Sequence, residues 1–427
     1  MIDDPVARCP RRVPRPSGFA DWRARLDRER VAPVIAVAGS KGKTSVVRAV
    51  ESIFRVGGYR FASWTDRGVE IEGEHQRGEL GPWSRALTRL AAGGLDIALQ
   101  ELDWTTVPTV GAPGAKYPMV AVANLCANSE ACFFTSETIQ ARRVLQLIKL
   151  SLAPAGRLVL NADDFAVSDD SRDPEDLDRR YLVGISSDTP VLRRHIQHGG
   201  DACWVENGTV TIRESDLTQS IADVRQMPST RDGTIPFAVQ NALIATAIAR
   251  SCGIPERQIA AGLAAHETRP ESMPGSFNVF DLGSATIVVD RPMPSWFLRT
   301  SLRASANLGS GRQIRVAGPM SEVSTDDLAE VGRLLGRNGG VLIAHGVWPA
   351  ERLERLRLGA AGNTVPPIFL QASDERTAVQ QALNMLRAKD VLLILAEHPP
   401  ATVSLIQRHL RRLSPNSRNG SHVAKAS

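Results

Sequence analysis

Apolar and polar positions fall into blocks of two periods along most of the chain. Val34 to Ala38 is a short apolar run, the pattern of a strand buried on both faces. From Val46 to Val56 the apolar positions Val47, Val50, Ile53 and Phe54 recur at helical spacing, and Gly57-Gly58 marks the stop. Gly68 to Gly73 reads as a hairpin region and Trp83–Ala92 as a helix. Strands are predicted at Asp96–Glu101, Pro118–Asn124 and Gly156–Asn161, with a helix at Ser136–Leu152. Asp169–Arg180 reads as a charged loop, and Val210–Arg213 as a small antiparallel patch. Helices follow at Val239–Ser251 and Pro255–Ala265, then strands at Phe277–Asp281 and Thr286–Asp290.

A second run of alternating elements starts after Gly309-Ser310-Gly311. Strands are predicted at Gln313–Ala317, Gly340–His345 and Val391–Ala396, and a helix at Ser373–Ala388. Ser324-Thr-Asp-Asp carries the cap chemistry of another helix start. Two α/β units in succession make the fold class α/β, the second unit Rossmann-like. Pro292–Trp296 reads as the boundary, which divides the chain into a basic N-terminal extension at 1–30, a central domain at 31–292, a C-terminal domain at 293–413 and a disordered tail at 414–427. Phe19–Arg30 has room for one short helix within the extension.

Composition narrows the class. With 427 residues, 43% of them hydrophobic and 23% charged, the chain can build two or three sizeable cores. The net charge of +5 comes largely from the Arg-rich stretches Arg11–Arg30 and Arg408–Arg418. Basic surface alone is weak ground for nucleic acid, and no aromatic RNA-binding motif or zinc spacing accompanies it, so no nucleic-acid partner is expected. The five cysteines are scattered and odd in number, which fits reduced thiols in a cytoplasmic protein. Cys126 and Cys132 lie near the candidate site but read as small buried hydrophobes. No apolar signal core and no run of 18 apolar residues is present, so no membrane association is expected.

Candidate chemistry concentrates after the first strand. Gly39-Ser40-Lys41-Gly42-Lys43-Thr44-Ser45 stands between the strand and the first helix, where a phosphate-binding loop belongs. Glycines let backbone N–H groups approach phosphate, Lys43 would reach the outer phosphates, and Thr44 would offer its hydroxyl to Mg²⁺. The full Walker spacing is not met, because Val37 holds the place of the first glycine. An ordinary βα turn can also contain Gly-Lys-Thr; the flanking strand and helix favour the nucleotide. In open α/β sheets ligands bind beyond the carboxyl ends of strands, which also brings in Glu101, Asn124–Ser129, Asp163, Asp164 and Asp290. Glu101 could hold Mg²⁺ opposite Thr44, whereas Asp163 and Asp164 suit turn formation equally well. His345 closes a strand of the second unit and is either a substrate contact or an ordinary polar strand end. No Gly-x-Ser-x-Gly, His-Glu-x-x-His, kinase or guanine-binding motif occurs.

In this order the segments resemble the Mur ligase superfamily, and more closely the C-terminal, Mur-like portion of cyanophycin synthetases, over roughly Val34 to Leu410. Gly39–Ser45 stands for Gly-Thr-Asn-Gly-Lys-Thr-Thr, Thr65–Glu74 for Thr-Asp-Gly-Val-Tyr-Ile-Asp-Gly, and Gln100-Glu101 for the start of the metal-binding turn. Asn161-Ala-Asp-Asp164 matches outright, Gln240-Asn241-Ala-Leu is similar to the segment whose Asn contacts adenine, and Pro274–Asn278 and Val289-Asp290 follow in place. The resemblance implies a central phosphate-loop ATPase domain with a mostly parallel sheet and a Rossmann-like C-terminal domain. It implies an ATP-dependent carboxylate–amine ligase working through an acyl-phosphate, with ATP and Mg²⁺ as cofactors and an amino acid or acidic peptide as substrate. Gly39, Ser40, Lys41, Gly42, Lys43, Thr44 and Ser45 would bind phosphates, Thr44 and Glu101 the metal, Asn241 adenine, and Asp290 the ribose or the domain hinge; Lys43 and Glu101 would be catalytic.

Five positions depart from the family pattern. Ser129 holds the place of the metal-binding His. Leu145 stands near the place of the carbamylated lysine, with Arg143 and Lys149 offset from it. Ser276 replaces the Arg of Pro-Gly-Arg, Asp290-Arg-Pro-Met-Pro replaces Asp-Tyr-Ala-His-Asn-Pro, and Gly318-Pro-Met-Ser replaces Gly-Asp-Arg-Arg. These departures favour a second reading, a catalytically degenerate ATP-binding homologue that serves a full-length ligase partner or a homo-oligomer as a regulatory or structural subunit.

Overall fold

The structure, a computed structural model, describes residues 32–75, 94–105, 117–127, 132, 135–168 and 179–413. The expected extension, the helices at Phe19–Arg30 and Trp83–Ala92, most of the Asp169–Arg180 loop, Ser129 and the 414–427 tail lie outside the described residues. The chain divides into two compact units, up to Glu267 and from Thr268 onward.

In the first unit, β1 (Val34–Ala38) is buried along its whole length, as its unbroken apolar run requires. Helix α1 (Lys43–Val56) follows and buries Val46, Val47, Val50, Ile53 and Phe54, the positions its 3.6-residue period aligns. Then come β2 (Phe61–Thr65), β3 (Gly68–Ile71), β4 (Glu74–His75), β5 (Ile97–Leu102), β6 (Tyr117–Val122), α2 (Ser136–Leu150), β7 (Leu152–Asn161), α3 (Phe165–Ser168), β8 (Arg180–Val183) and α4 (Pro190–Gln197). Strands β9 (Asp201–Glu206), β10 (Thr209–Glu214) and β11 (Leu217–Asp223) and helices α5 (Pro236–Ser251) and α6 (Glu256–Ala265) complete the unit.

Among the described residues its eleven strands form one sheet in the order β11-β10-β9-β8-β7-β6-β1-β5-β2-β3-β4. Pairing is parallel from β9 through β2, and antiparallel hairpins finish both ends. Strand β1 lies between β5 and β6, with Val37 opposite both Glu101 and Ala121. The chain reverses its winding at β1, and the crevice beyond such a strand is where open sheets bind ligands. Helix α5 is buried on almost every side from Ala242 to Ala249 and packs on α1, α6 and strands β7 to β9. Its apolar, alanine-rich sequence suits a helix enclosed on all faces.

The second unit holds β12 (Asn278–Leu282), β13 (Ala285–Asp290), α7 (Ser295–Ala306), β14 (Gln313–Ala317), α8 (Leu328–Leu335), β15 (Val341–His345), α9 (Ala350–Ala361), β16 (Ile368–Ala372), α10 (Glu375–Met385), β17 (Val391–Leu395) and α11 (Pro399–Leu413). Its six strands run in the order β12-β13-β17-β14-β15-β16, parallel except for the β12–β13 hairpin. The sequence boundary at 292/293 would leave this hairpin in the first domain. The structure instead pairs β13 with β17, Asp290 opposite Leu395, so both strands belong to the second sheet. The hairpin's apolar pattern suits either sheet, and nothing local in it selects one. Ser324 opens a turn rather than the helix, which begins at Leu328.

Candidate functional site

The loop between β1 and α1 is shaped by two glycines. Gly39 has φ +150° and Gly42 φ +81°, both in the region that favours glycine. A Cβ on Gly39 would stand 3.2 Å from Asn124 N and Ala123 Cβ, and one on Gly42 would stand 2.6 Å from Asn241 Oδ1. A side chain at either position would be strained by the backbone conformation and crowded by these neighbours. Gly42 places the first turn of α1, with Lys43, Thr44 and Ser45, directly behind the loop, and the first N–H groups of that helix face its mouth.

The turn after β6 holds the loop from one side. Ser40 N–H donates to Asn124 O at 3.0 Å, and Ser40 Oγ to Leu125 O at 3.0 Å. Asn124 takes Lys41 by both ends, accepting Lys41 N–H at 2.9 Å and donating Nδ2–H to Lys41 O at 2.9 Å. That turn is itself anchored by Asp164, whose Oδ2 accepts the N–H groups of Leu125, Cys126 and Ala127 at 2.6, 2.8 and 2.9 Å. Burial pushes the Asp164 carboxyl up from its ordinary range, and the N–H donors oppose that shift. Asp163, read as an equal candidate for turn formation, accepts Ile185 N–H at 2.7 Å, Thr189 Oγ–H at 2.8 Å and Gln240 Nε2–H at 3.0 Å. Gln240 also donates to Asn161 Oδ1 at 2.6 Å, so the Asn161–Asp164 and Gln240-Asn241 segments, distant in sequence, meet.

Cys126 and Cys132 form a disulfide within this same turn. That corrects the expectation of reduced cysteines: the pairing depends on the chain doubling back after β6, which odd and scattered spacing does not reveal. Cys203 and Cys252 are buried outside any disulfide, as small hydrophobes.

From the other side the loop meets the carboxyl end of β5. Lys43 Nζ lies 2.7 Å from Asp103 Oδ1 and donates to Gly39 O at 3.0 Å. Trp104 Nε1–H donates to Ser40 Oγ at 2.9 Å. Glu101 is hydrogen-bonded to the Thr44 side chain and is partly buried, and this desolvation raises its pKa to about 7; the Lys43 ammonium and the Thr44 contact pull it down, while Asp66 and Asp103 push it up. Its Oε1 has no hydrogen-bond partner among the described residues. A buried carboxylate oxygen without a donor, beside a threonine hydroxyl at a phosphate-loop helix start, fits a hard divalent cation. Among the described residues no three His, Cys, Asp or Glu side chains converge as a metal cage. A Mg²⁺ held by one protein carboxylate and completed by phosphate oxygens and water needs none.

The structure thus brings Gly39 to Ser45, Glu101 and Asn241 together in the first unit. Asp290 ends β13 in the second unit, where it accepts Ser301 Oγ–H at 2.8 Å and its neighbour's N–H at 2.9 Å. Leu145 is fully buried in α2, with 1% of its surface exposed. Asp103 and Trp104 touch the loop without standing out in the sequence, since neither belongs to a recognisable spacing, whereas Asn124 opens the strand-end turn that the sequence does single out. His345 is buried at the end of β15, and its Nε2 has no partner among the described residues. No helix among the described residues is long and apolar enough to cross a membrane.

No family model matches the chain. It is 26% identical over 384 residues to a cyanophycin synthetase of Nostoc sp., a match that covers 88% of this chain but 42% of that protein. It is also 26% identical over 372 residues to a UDP-N-acetylmuramoyl-L-alanyl-D-glutamate–2,6-diaminopimelate ligase of Mesorhizobium japonicum, covering 84% of this chain and 72% of the ligase. The chain thus spans less than half the length of the cyanophycin synthetase. Among solved structures, the MurF ligase of Thermotoga maritima in complex with ADP superposes with a TM-score of 0.57 at 14% identity, covering 92% of this chain and 83% of the other, a likeness of fold. In sequence the chain is thus similar to cyanophycin synthetases and to a Mur ligase, and in fold to a Mur ligase.

Proposed function

We propose that the chain is an ATP-dependent carboxylate–amine ligase of Mur type, acting through an acyl-phosphate. One observation carries the reading: the glycine loop, Lys43, Thr44 and the partnerless Glu101 oxygen converge at the one strand where the sheet reverses its winding. Gly39 to Ser45 bind the phosphates through backbone N–H groups, Lys43 neutralises the outer phosphates, and Thr44 and Glu101 hold Mg²⁺. The metal, when bound, offsets charge on the phosphates during transfer. A substrate carboxylate oxygen attacks the terminal phosphorus and ADP leaves. An amine then attacks the acyl carbon, phosphate leaves, and an amide remains. Asn241, against Gly42, faces the nucleotide from the α5 side, and Asp290 serves the ribose or the hinge. The substrates are an amino acid or a short acidic peptide. The ADP-bound ligase of like fold and the cyanophycin synthetase relatives support this reading.

A second reading has its own observation. Leu145, near the place of the carbamylated lysine, is buried in α2, where a charged group would have to give up its hydration. On that reading the chain binds ATP with little turnover and serves a ligase partner or a second copy as a subunit.

The test is release of ADP and phosphate from Mg²⁺ and ATP over a panel of amino acids and acidic peptides, offered singly and in carboxylate–amine pairs. Release that needs both components and disappears in Lys43→Ala supports the ligase. Nucleotide binding with no pair-dependent release over the panel favours the second reading.

A further inference from the structure

Three residues at the end of β5 address the loop. Glu101 lies by Thr44, Trp104 holds Ser40, and Asp103 between them holds the ammonium of Lys43 at 2.7 Å. Lys43 is largely buried, with 12% of its side chain exposed, and spends one N–H on Gly39 O and another on Asp103. Asp103 is half-exposed, with 51% of its side chain in solvent. It touches Lys43, one of the two lysines of the phosphate loop.

We propose that Asp103 is a positioning residue that acts through Lys43. It holds the ammonium in the nucleotide-free protein, and it makes the loop select nucleotides whose phosphates already carry a divalent cation. This rests on the nucleotide-binding reading above. The argument is one of local charge. Glu101 lies within electrostatic reach of both Asp66 and Asp103. Lys43 therefore has two carboxyl groups for neighbours, Asp103 and Glu101, with the Asp66 charge within reach of the second. A bare diphosphate adds further negative charge there and must compete with Asp103 for Lys43. A divalent cation on the phosphates turns the repulsion from Asp103 and Glu101 into attraction. Removing the Asp103 charge while keeping its shape should therefore help metal-free nucleotide most. Because Asp103 is half-exposed, solvent screens it, and the gain is about threefold to tenfold.

The experiment is calorimetric titration of ADP into the full chain, once in EDTA and once in excess Mg²⁺, for wild type, Asp103→Asn and Asp103→Glu. Asp103→Asn should bind metal-free ADP about threefold to tenfold more tightly while Mg²⁺–ADP changes by less than about twofold. Asp103→Glu, which keeps the charge, should restore the wild-type preference for Mg²⁺–ADP. A merely structural role predicts instead that both variants weaken both ligands alike. Unchanged or weakened metal-free binding in Asp103→Asn, or an Asp103→Glu that behaves like Asp103→Asn, overturns the proposal and leaves nucleotide binding intact. If neither wild type nor Asp103→Asn binds ADP under either condition, the nucleotide reading itself fails and this role fails with it.

Discussion

Asn124 clasps the backbone of Lys41 from both ends, taking its N–H on Oδ1 and giving Nδ2–H to its carbonyl, each at 2.9 Å. A side-chain amide has the donor and acceptor geometry to close this pair, and neither aspartate nor alanine can. Asn124→Ala should leave the fold intact and weaken ADP binding about tenfold to a hundredfold, the effect of two hydrogen bonds at about 1 kcal/mol each. Asn124→Asp keeps the acceptor only and should fall below wild type by more than the alanine variant if repulsion of the phosphates dominates. Calorimetry on the three proteins, with thermal melts as the fold control, reads both effects.

Glu101 has a pKa raised to about 7, and its sign has two consequences. Cation binding needs the carboxylate, so Mg²⁺ affinity should rise from pH 6 to pH 8 and level off above. Stability runs the other way. The folded protein holds this proton more tightly than the unfolded chain does, so this group's contribution falls as pH climbs from about 4.5 through about 7. Glu101→Gln should therefore raise the melting temperature at pH 8, release little ADP, and still bind some nucleotide. A melting temperature at pH 8 equal to or below wild type would contradict the burial argument.

Arg48 on α1 and Glu70 on β3 form a buried ion pair, joined by Glu51, with Glu70 only 6% exposed. The pair ties the hairpin to the helix that carries the loop. Arg48→Met strands the buried Glu51 and Glu70 carboxylates and should cost about 3–5 kcal/mol in urea unfolding, whereas adding Glu51→Gln and Glu70→Leu should recover most of that loss. A combined variant no better than Arg48→Met would mean that the cost lies in packing.

The Cys126–Cys132 bridge closes a short loop two residues from Asn124. Chain-entropy reasoning gives such a closure about 2 kcal/mol. Cys126→Ser with Cys132→Ser, or a dithiol reductant, should lower the urea midpoint accordingly and weaken ADP binding a few-fold, because the loosened turn carries Asn124 and Leu125. Thiol labelling of the native chain with mass analysis counts the bridge directly. Two reactive thiols at these positions in the untreated protein would remove it.

Much of this was readable from residues alone where physics leaves few choices. The short apolar run Val34–Ala38, followed at once by glycine, reads as a buried strand and is one, and Gly39 and Gly42 take up positive φ where a side chain would be strained. Other parts follow from partners that sequence cannot reveal. Strand β16 is a half-exposed sheet edge after Pro366-Pro367, with Ile368 63% exposed, so its apolar alternation is too weak to read. Strand β8 runs four residues with Arg180 at its start, buried against expectation for a charge. Asp103 and Trp104 gain their roles only because β5 pairs with β1 in a register that sets Glu101 opposite Val37. The disulfide likewise depends on a chain reversal, not on a spacing.

The most direct test of the central claim is calorimetric titration of ATP, with and without Mg²⁺, into wild type and Lys43→Ala, with ADP assayed in the cell afterwards. The account predicts Mg²⁺-favoured binding in wild type, loss of most of it in Lys43→Ala, and slow ADP formation that a matching carboxylate and amine accelerate. Wild type that binds no ATP under either condition, or binds it equally well without Lys43, would contradict it.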